Sequence, residues 1–216
     1  MQRTGIGYRR DKVSDPVESW ASMWDPKYKD RLAMLDDVRE VIGAALKYMG
    51  KSLNDTDSAD VEAAARLLEQ QKPLIRAYDS GGFDQLLLSG DAWLVQGYNG
   101  QIAKAMLENP SIGYVIPKEG CTVAVDNMCI PKNAPHAALG IEFMNFILRP
   151  AVAAEIANAT GYSSPNLADR AYIRPELLAN RAIYPTAEDL ERCEFIRDVG
   201  QATTIYDRYW TEIKSK

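Results

Sequence analysis

Apolar residues recur along this chain with two different periods. Val38, Val41, Ile42, Ala45 and Leu46 fall at the i, i+3, i+4, i+7, i+8 spacing of one helical face, predicting a helix over 37–49 that stops at Gly50. A second helix is expected over 61–71, after the cap-rich run Asn54-Asp-Thr-Asp57 and before Pro73. Ser14-Asp-Pro-Val-Glu-Ser-Trp reads as an earlier helix start that places Trp20, Met23 and Trp24 on one face. Short apolar runs of strand length lie at 31–35, 74–78, 92–96, 113–117 and 122–130. Between them, 83–88 reads as a short helix closed by Gly90, and 101–107 as one ending at Asn109-Pro110. From 136 onward the pattern is helical, over 136–148, 152–159, 175–179, 188–195 and 203–213. Helices alternating with short strands predict an α/β fold around a partly parallel sheet. No internal repeat or low-complexity tract interrupts it.

Composition narrows the field. With 216 residues and 46% hydrophobic positions there is enough chain for a sizeable core, in one large domain or two small ones. The 25 Lys+Arg against 30 Asp+Glu leave a net charge of -5, and no Lys/Arg-rich run forms the basic footprint of a nucleic-acid binder. No stretch approaches the roughly 18 uninterrupted apolar residues of a membrane span. The opening Met1-Gln-Arg-Thr-Gly-Ile-Gly-Tyr-Arg-Arg lacks the apolar core of a signal peptide, so no export address is expected in the chain as it stands. Of the cysteines Cys121, Cys129 and Cys193, the first two share an apolar run that as a strand would hold them roughly 26 Å apart, beyond disulfide reach. An odd count leaves at least one thiol free, which favours a reducing compartment or buried, inert cysteines.

His136 is the only histidine and sits at a predicted helix start. HExxH, GxGxxG after a strand and GxxxxGK[ST] are absent, and the cysteines and histidine have no zinc spacing. No catalytic residue, cofactor or metal is therefore expected. What remains is a set of carboxylates and tyrosines where elements end. Asp36-Asp37-Val-Arg-Glu40 follows a strand and opens a helix, and Tyr98-Asn99-Gly100 follows another strand. Asp126 interrupts the apolar run 122–130, and Tyr162 lies in Gly161-Tyr-Ser-Ser-Pro-Asn166 after a helix. Ligand sites in open α/β sheets lie beyond the carboxyl ends of the strands, which is where these residues fall. Asp37 with Glu40 three residues later also has the pattern of a capping box.

Several runs carry a family resemblance: Met34-Leu-Asp-Asp-Val-Arg-Glu-Val, Tyr114-Val-Ile-Pro-Lys-Glu-Gly120, Ile130-Pro-Lys-Asn-Ala-Pro-His, Phe143-Met-Asn-Phe-Ile-Leu-Arg-Pro150, Gly161-Tyr-Ser-Ser-Pro-Asn-Leu-Ala168 and Ile205-Tyr-Asp-Arg-Tyr-Trp210. In this order the chain resembles the bacterial spermidine/putrescine-binding, periplasmic proteins of ABC importers. The resemblance implies the type II periplasmic-binding-protein fold, two α/β lobes that close on ligand like a hinge. By it, residues 1–124 and 172–216 form the second lobe, 125–171 belong to the first, and about the first third of the family's length is absent. The orphaned segment includes Ile141, Phe143, Met144, Phe146, Ile147 and Leu148, so the 136–160 helices are expected to drive self-association or to stay mobile.

The resemblance further implies a non-enzymatic polyamine-binding component of an ABC importer. Asp37, Glu40 and Asp126 would hold ammonium groups, with Tyr98 and Tyr162 against the methylenes. Its partners would be a cationic small molecule and the membrane permease, its location the periplasm for a full-length member, and its own binding weak. Ala124 and Ile196 depart from the tryptophan and glutamine of the spermidine-binding pocket, which would make it roomier and more apolar. Two other readings are an enzyme of the same bilobal fold using carboxylates, and a short self-associating module derived from that fold.

Overall fold

The computed structural model describes residues 1–215. Its strands are β1 (Gln2–Arg9), β2 (Leu32–Met34), β3 (Ile75–Tyr78), β4 (Leu94–Tyr98), β5 (Ile112–Val115), β6 (Thr122–Ala124) and β7 (Glu194–Phe195). Its α-helices are α1 (Val38–Tyr48), α2 (Ser58–Gln71), α3 (Phe83–Ser89), α4 (Asn99–Glu108), α5 (Ala137–Ile147), α6 (Pro150–Thr160), α7 (Pro175–Leu178), α8 (Ala187–Glu191) and α9 (Thr203–Ser215). Among the described residues the strands form one seven-stranded sheet in the order β3-β2-β4-β1-β6-β7, with β5 pairing β1 beside β6. β2 runs parallel to β3 and β4, and β6 parallel to β7, while β1 is antiparallel to β4, β5 and β6. This is the mixed α/β fold that the alternation of periods predicts.

The middle of the sheet is β1, and the hydrophobic pattern does not show it. Its sequence QRTGIGYR has one aliphatic residue, yet five consecutive positions are buried, including Arg3 and Thr4. Arg3 is held by hydrogen bonds, although its Nε and the Thr4 hydroxyl have no hydrogen-bond partner among the described residues. Arg3 N–H donates to Asn99 Oδ1 at 2.9 Å, and its guanidinium donates to the Ile183 carbonyl at 3.2 Å.

Three other expectations give way. The helix expected over 188–195 stops at Glu191, and Glu194–Phe195 pair with β6 as strand β7. The turn after Ser14 is not helical; a 3-10 helix begins at Trp20, capped by Ser19, whose side chain accepts from Ala21 N–H. Trp20 and Met23 are nevertheless buried, and Trp24 stacks on Tyr48 with centroids 5.0 Å apart. The run 122–130 is a strand only to Ala124; from Val125 to Cys129 every residue is exposed. Its apolar composition reflects a segment leaving the sheet, not one within it.

The largest core cluster joins α1, α2 and α9 to one face of the sheet through Ile42, Leu46, Leu68 and Tyr206. On the other face Phe83, Leu87, Val95 and Ile102 bring in α3 and α4. Residues 125–171 are attached unevenly. α6 seats Ala154 and Ala157 in a cluster with Ala103, Ile173 and Leu177, and Ala153 is buried as well. α5 has no buried residue, and exposes Leu139, Ile141, Phe143, Phe146 and Leu148 at about half of their surface.

Candidate functional site

Because β2, β3, β4, β6 and β7 all run opposite to β1 or parallel to a strand that does, their carboxyl ends share one edge of the sheet. Every residue singled out from the sequence, except Tyr162, follows one of these ends. Asp37 and Glu40 come after β2, Tyr98 closes β4, and Asp126 comes after β6. Tyr162 reaches the same place from the turn after α6.

Asp37 caps α1: its Oδ1 accepts from Arg39 N–H at 2.9 Å and from Glu40 N–H at 3.1 Å. The expected capping box is only half formed, because the Glu40 side chain turns toward the sheet instead of back to the cap. Glu40 is 5% exposed, and its Oε2 has no hydrogen-bond partner among the described residues. Burial pushes its carboxyl up to about 7, with Asp37 adding to the rise and the Thr122 and Thr4 hydroxyls and Arg39 opposing it. Gln96, buried in β4, fixes the position: its Nε2 donates to the Glu40 carbonyl at 2.8 Å and its Oε1 accepts from Leu35 N–H at 3.3 Å. Asp36 is a different matter, being exposed and already paired with Lys214 at 2.6 Å.

Tyr98 lies half-buried at the end of β4, edge-on to Phe83 with centroids 5.8 Å apart. Burial pushes its hydroxyl up to about 12, and the negative fields of Glu40 and Asp37 add to that while the Ser80 hydroxyl works against it. Burial, and then Asp126, raise the hydroxyl of Tyr162. Its ring lies directly on Gly100, in the first turn of α4. A Cβ built on that glycine would stand 2.4 Å from the ring atoms, so only glycine admits the tyrosine here. The fields of Asp37 and Glu40 reach Tyr98, and that of Asp126 reaches Tyr162. Asp126 differs from expectation in being exposed rather than a charge inside a strand, which removes the desolvation cost that a strand interior would impose.

Sequence reasoning missed Gln96, Ser80, Thr4, Thr122 and Gly100. A glutamine inside the apolar strand run 92–96 was the available signal for the first. Ala124 and Ile196 prove to be neighbours: Ile196 N–H donates to the Val123 carbonyl at 3.2 Å, so both stand at the end of the β6–β7 pair beside Asp126. The arrangement offers buried and exposed carboxylates flanked by two tyrosine faces. That chemistry suits a cation carrying apolar carbon.

Residues 1–175 match the family described as bacterial extracellular solute-binding protein. Over 214 residues the chain is 38% identical to the spermidine/putrescine-binding periplasmic protein of Escherichia coli (strain K12), and 36% identical to that of Salmonella typhimurium. Each alignment covers 98% of this chain and 61% of the relative, so the chain spans less than two thirds of their length. Among solved structures, the spermidine/putrescine ABC transporter substrate-binding protein of Streptococcus pneumoniae superposes with a TM-score of 0.88 at 28% identity, covering 99% of this chain and 67% of that one.

Proposed function

The chain belongs to the bacterial extracellular solute-binding protein family, and from that premise we propose that its strand-end carboxylates and tyrosines bind a polyamine for an ABC importer. The observation that carries the reading is Glu40: a carboxylate 5% exposed, with one oxygen unpartnered among the described residues, at a strand-end edge where its field and that of Asp37 reach Tyr98. Leaving such a group buried without a cation is costly, and an ammonium supplies both the charge and the donors it lacks. Tyr98 and Tyr162 then face the methylenes, each buried CH₂ contributing about 0.8 kcal/mol and a cation–π contact roughly 0.5–2 kcal/mol. Asp126, whose field reaches Tyr162 and which is open to water, takes the far ammonium of a flexible diamine or triamine. The small side chain of Ala124 beside Ile196 leaves the pocket roomy at that end, which fits a ligand class more readily than spermidine alone.

In this reading residues 1–124 and 172–216 are one lobe of a bilobal protein and 125–171 belong to the other. What supports it is the contrast between the sheet, to which β7 and α9 return, and α5, which buries nothing. Closure of the lobes would exclude water and present a surface to the membrane permease in the periplasm. Micromolar affinity needs about 8 kcal/mol; if roughly half of the contacts come from the part of the relatives' length that these 216 residues do not span, about 4 kcal/mol remain, which is millimolar binding. Calorimetric titration with spermidine at low salt checks this: millimolar binding is expected, and micromolar binding by this chain would overturn the division of the site between lobes. The exposed apolar face of α5 favours a second reading, a self-associating module, for which the chain need bind no polyamine at all.

A further inference from the structure

Cys121 and Cys193 are 72 positions apart in sequence, yet their Sγ atoms stand 3.1 Å apart. The sheet explains the approach. β6 and β7 pair in parallel with Thr122 opposite Glu194, and each cysteine immediately precedes its strand. Glu194 N–H donates to the Cys121 carbonyl at 2.9 Å, which keeps the two strand starts level. Adjacent strands lie about 4.8 Å apart, inside the roughly 4.4–6.8 Å Cα separation a disulfide spans. Gly120 makes the close approach possible: its φ is +92°, and a Cβ there would fall 1.7 Å from the Arg192 carbonyl oxygen.

The two thiols are not equivalent. Cys121 is 1% exposed, whereas Cys193 is half-buried and lines a polar groove with Ser52, Asn54, Arg197 and Asp198. Contact with Cys121 brings the Cys193 thiol down to about 7, while that same contact and full burial push Cys121 up. A reagent in the groove therefore meets the more acidic sulfur first, and the buried one lies behind it. Cys129 is exposed in the segment after β6, apart from this pair.

We propose that Cys121 and Cys193 form a redox-sensitive disulfide that fastens the returning chain at β7 to β6. With a small-molecule disulfide such as oxidised glutathione as oxidant, the Cys193 thiolate attacks one glutathione sulfur and expels a glutathione thiolate. Cys121 gives up its proton and attacks the Cys193 sulfur of the mixed disulfide, expelling the second glutathione. Two protein thiols are oxidised to one disulfide and one glutathione disulfide is reduced to two thiols. The bridge closes the loop that contains α5, α6, α7 and α8, so it restrains the unfolded chain while asking the two sulfurs to approach by only about 1 Å in the folded one. The inference does not depend on what the strand-end carboxylates bind.

The test uses the full chain, first reduced and then incubated with oxidised glutathione above pH 7. Thiols are counted in denaturant, cross-linked peptides are mapped, and melting is followed before and after. The expected results are a fall from three reactive thiols to one, a Cys121–Cys193 linked peptide, and a Tm raised by roughly 5–15 °C that dithiothreitol reverses. Cys129→Ser should still lose two thiols to the oxidant, and Cys193→Ser should lose none to an internal bridge. Three thiols surviving the treatment, a stable glutathione adduct on Cys193, or a bridge through Cys129 would each overturn the proposal. The wild-type count and map decide it even if the Cys193 variant does not fold.

Discussion

At Glu40 the demands of the proposed binding and of stability oppose each other. Its carboxyl stands at about 7 in the folded chain against 4.5 when solvated, so the folded state binds the proton more tightly. The stability this contributes is complete below about pH 4.5 and is lost as pH rises through about 7, amounting to about 3 kcal/mol at 1.36 kcal/mol per pKa unit. Denaturant melts of Glu40→Gln should therefore show a variant more stable than wild type at pH 8, with the difference vanishing by pH 4. Equal stability at both pH values would mean that Glu40 is solvated. The same residue scale contains Gly100, where substitution by Ala places a methyl in the Tyr162 ring. G100A should alter the Tyr162 environment in aromatic NMR spectra and weaken polyamine binding severalfold; unchanged Tyr162 resonances would contradict the stacking. Residue types alone pointed to the carboxylates and tyrosines, because charge and aromaticity beside element ends are visible in a string. The supporting residues were not, because Gln96, Thr4 and Thr122 act from neighbouring strands that only the register brings opposite Glu40.

Among elements, α1 and β1 mark the two extremes. α1 follows from its own sequence, with apolar spacing inside and Asp37 at its start, and the structure has it over Val38–Tyr48. β1 follows from nothing local: a strand with Arg3, Thr4 and two glycines becomes the centre of the sheet because neighbours on both edges satisfy its backbone and cover its faces. The same non-local logic makes 122–130 end as a strand at Ala124, where its neighbours on the sheet run out. Asp37 permits a test of whether the start of α1 is cap, site or both. Asn accepts the same N–H bonds without the charge, so Asp37→Asn should keep stability within about 0.5 kcal/mol, whereas Asp37→Ala should lose about 1 kcal/mol. If the charge also serves the ligand, Asp37→Asn should weaken spermidine binding while leaving the melting curve in place. Retained binding would reduce Asp37 to a cap.

Over the whole molecule, Asp37, Glu40, Tyr98 and Asp126 follow strand ends on one edge of the sheet, and the fold is the one that the resemblance in sequence order implied. What pattern reading could not supply was the packing of residues 125–171, since α6 is anchored by small alanines that carry little hydrophobic signal and α5 buries no residue. The exposed apolar residues of α5 should drive association: light scattering is expected to show concentration-dependent growth that Phe143→Ser with Phe146→Ser reduces. A monomer at all concentrations would contradict that expectation. The central claim, that the buried Glu40 carboxylate receives a polyamine ammonium, is most directly tested by following the Glu40 side-chain carboxyl by NMR through a pH titration at low salt, with and without saturating spermidine. The account predicts a midpoint near pH 7 without ligand, displaced downward by about one unit or more with spermidine as the ammonium stabilises the charged form. A midpoint near 4.5 in the free chain, or one that spermidine leaves unmoved, would contradict it.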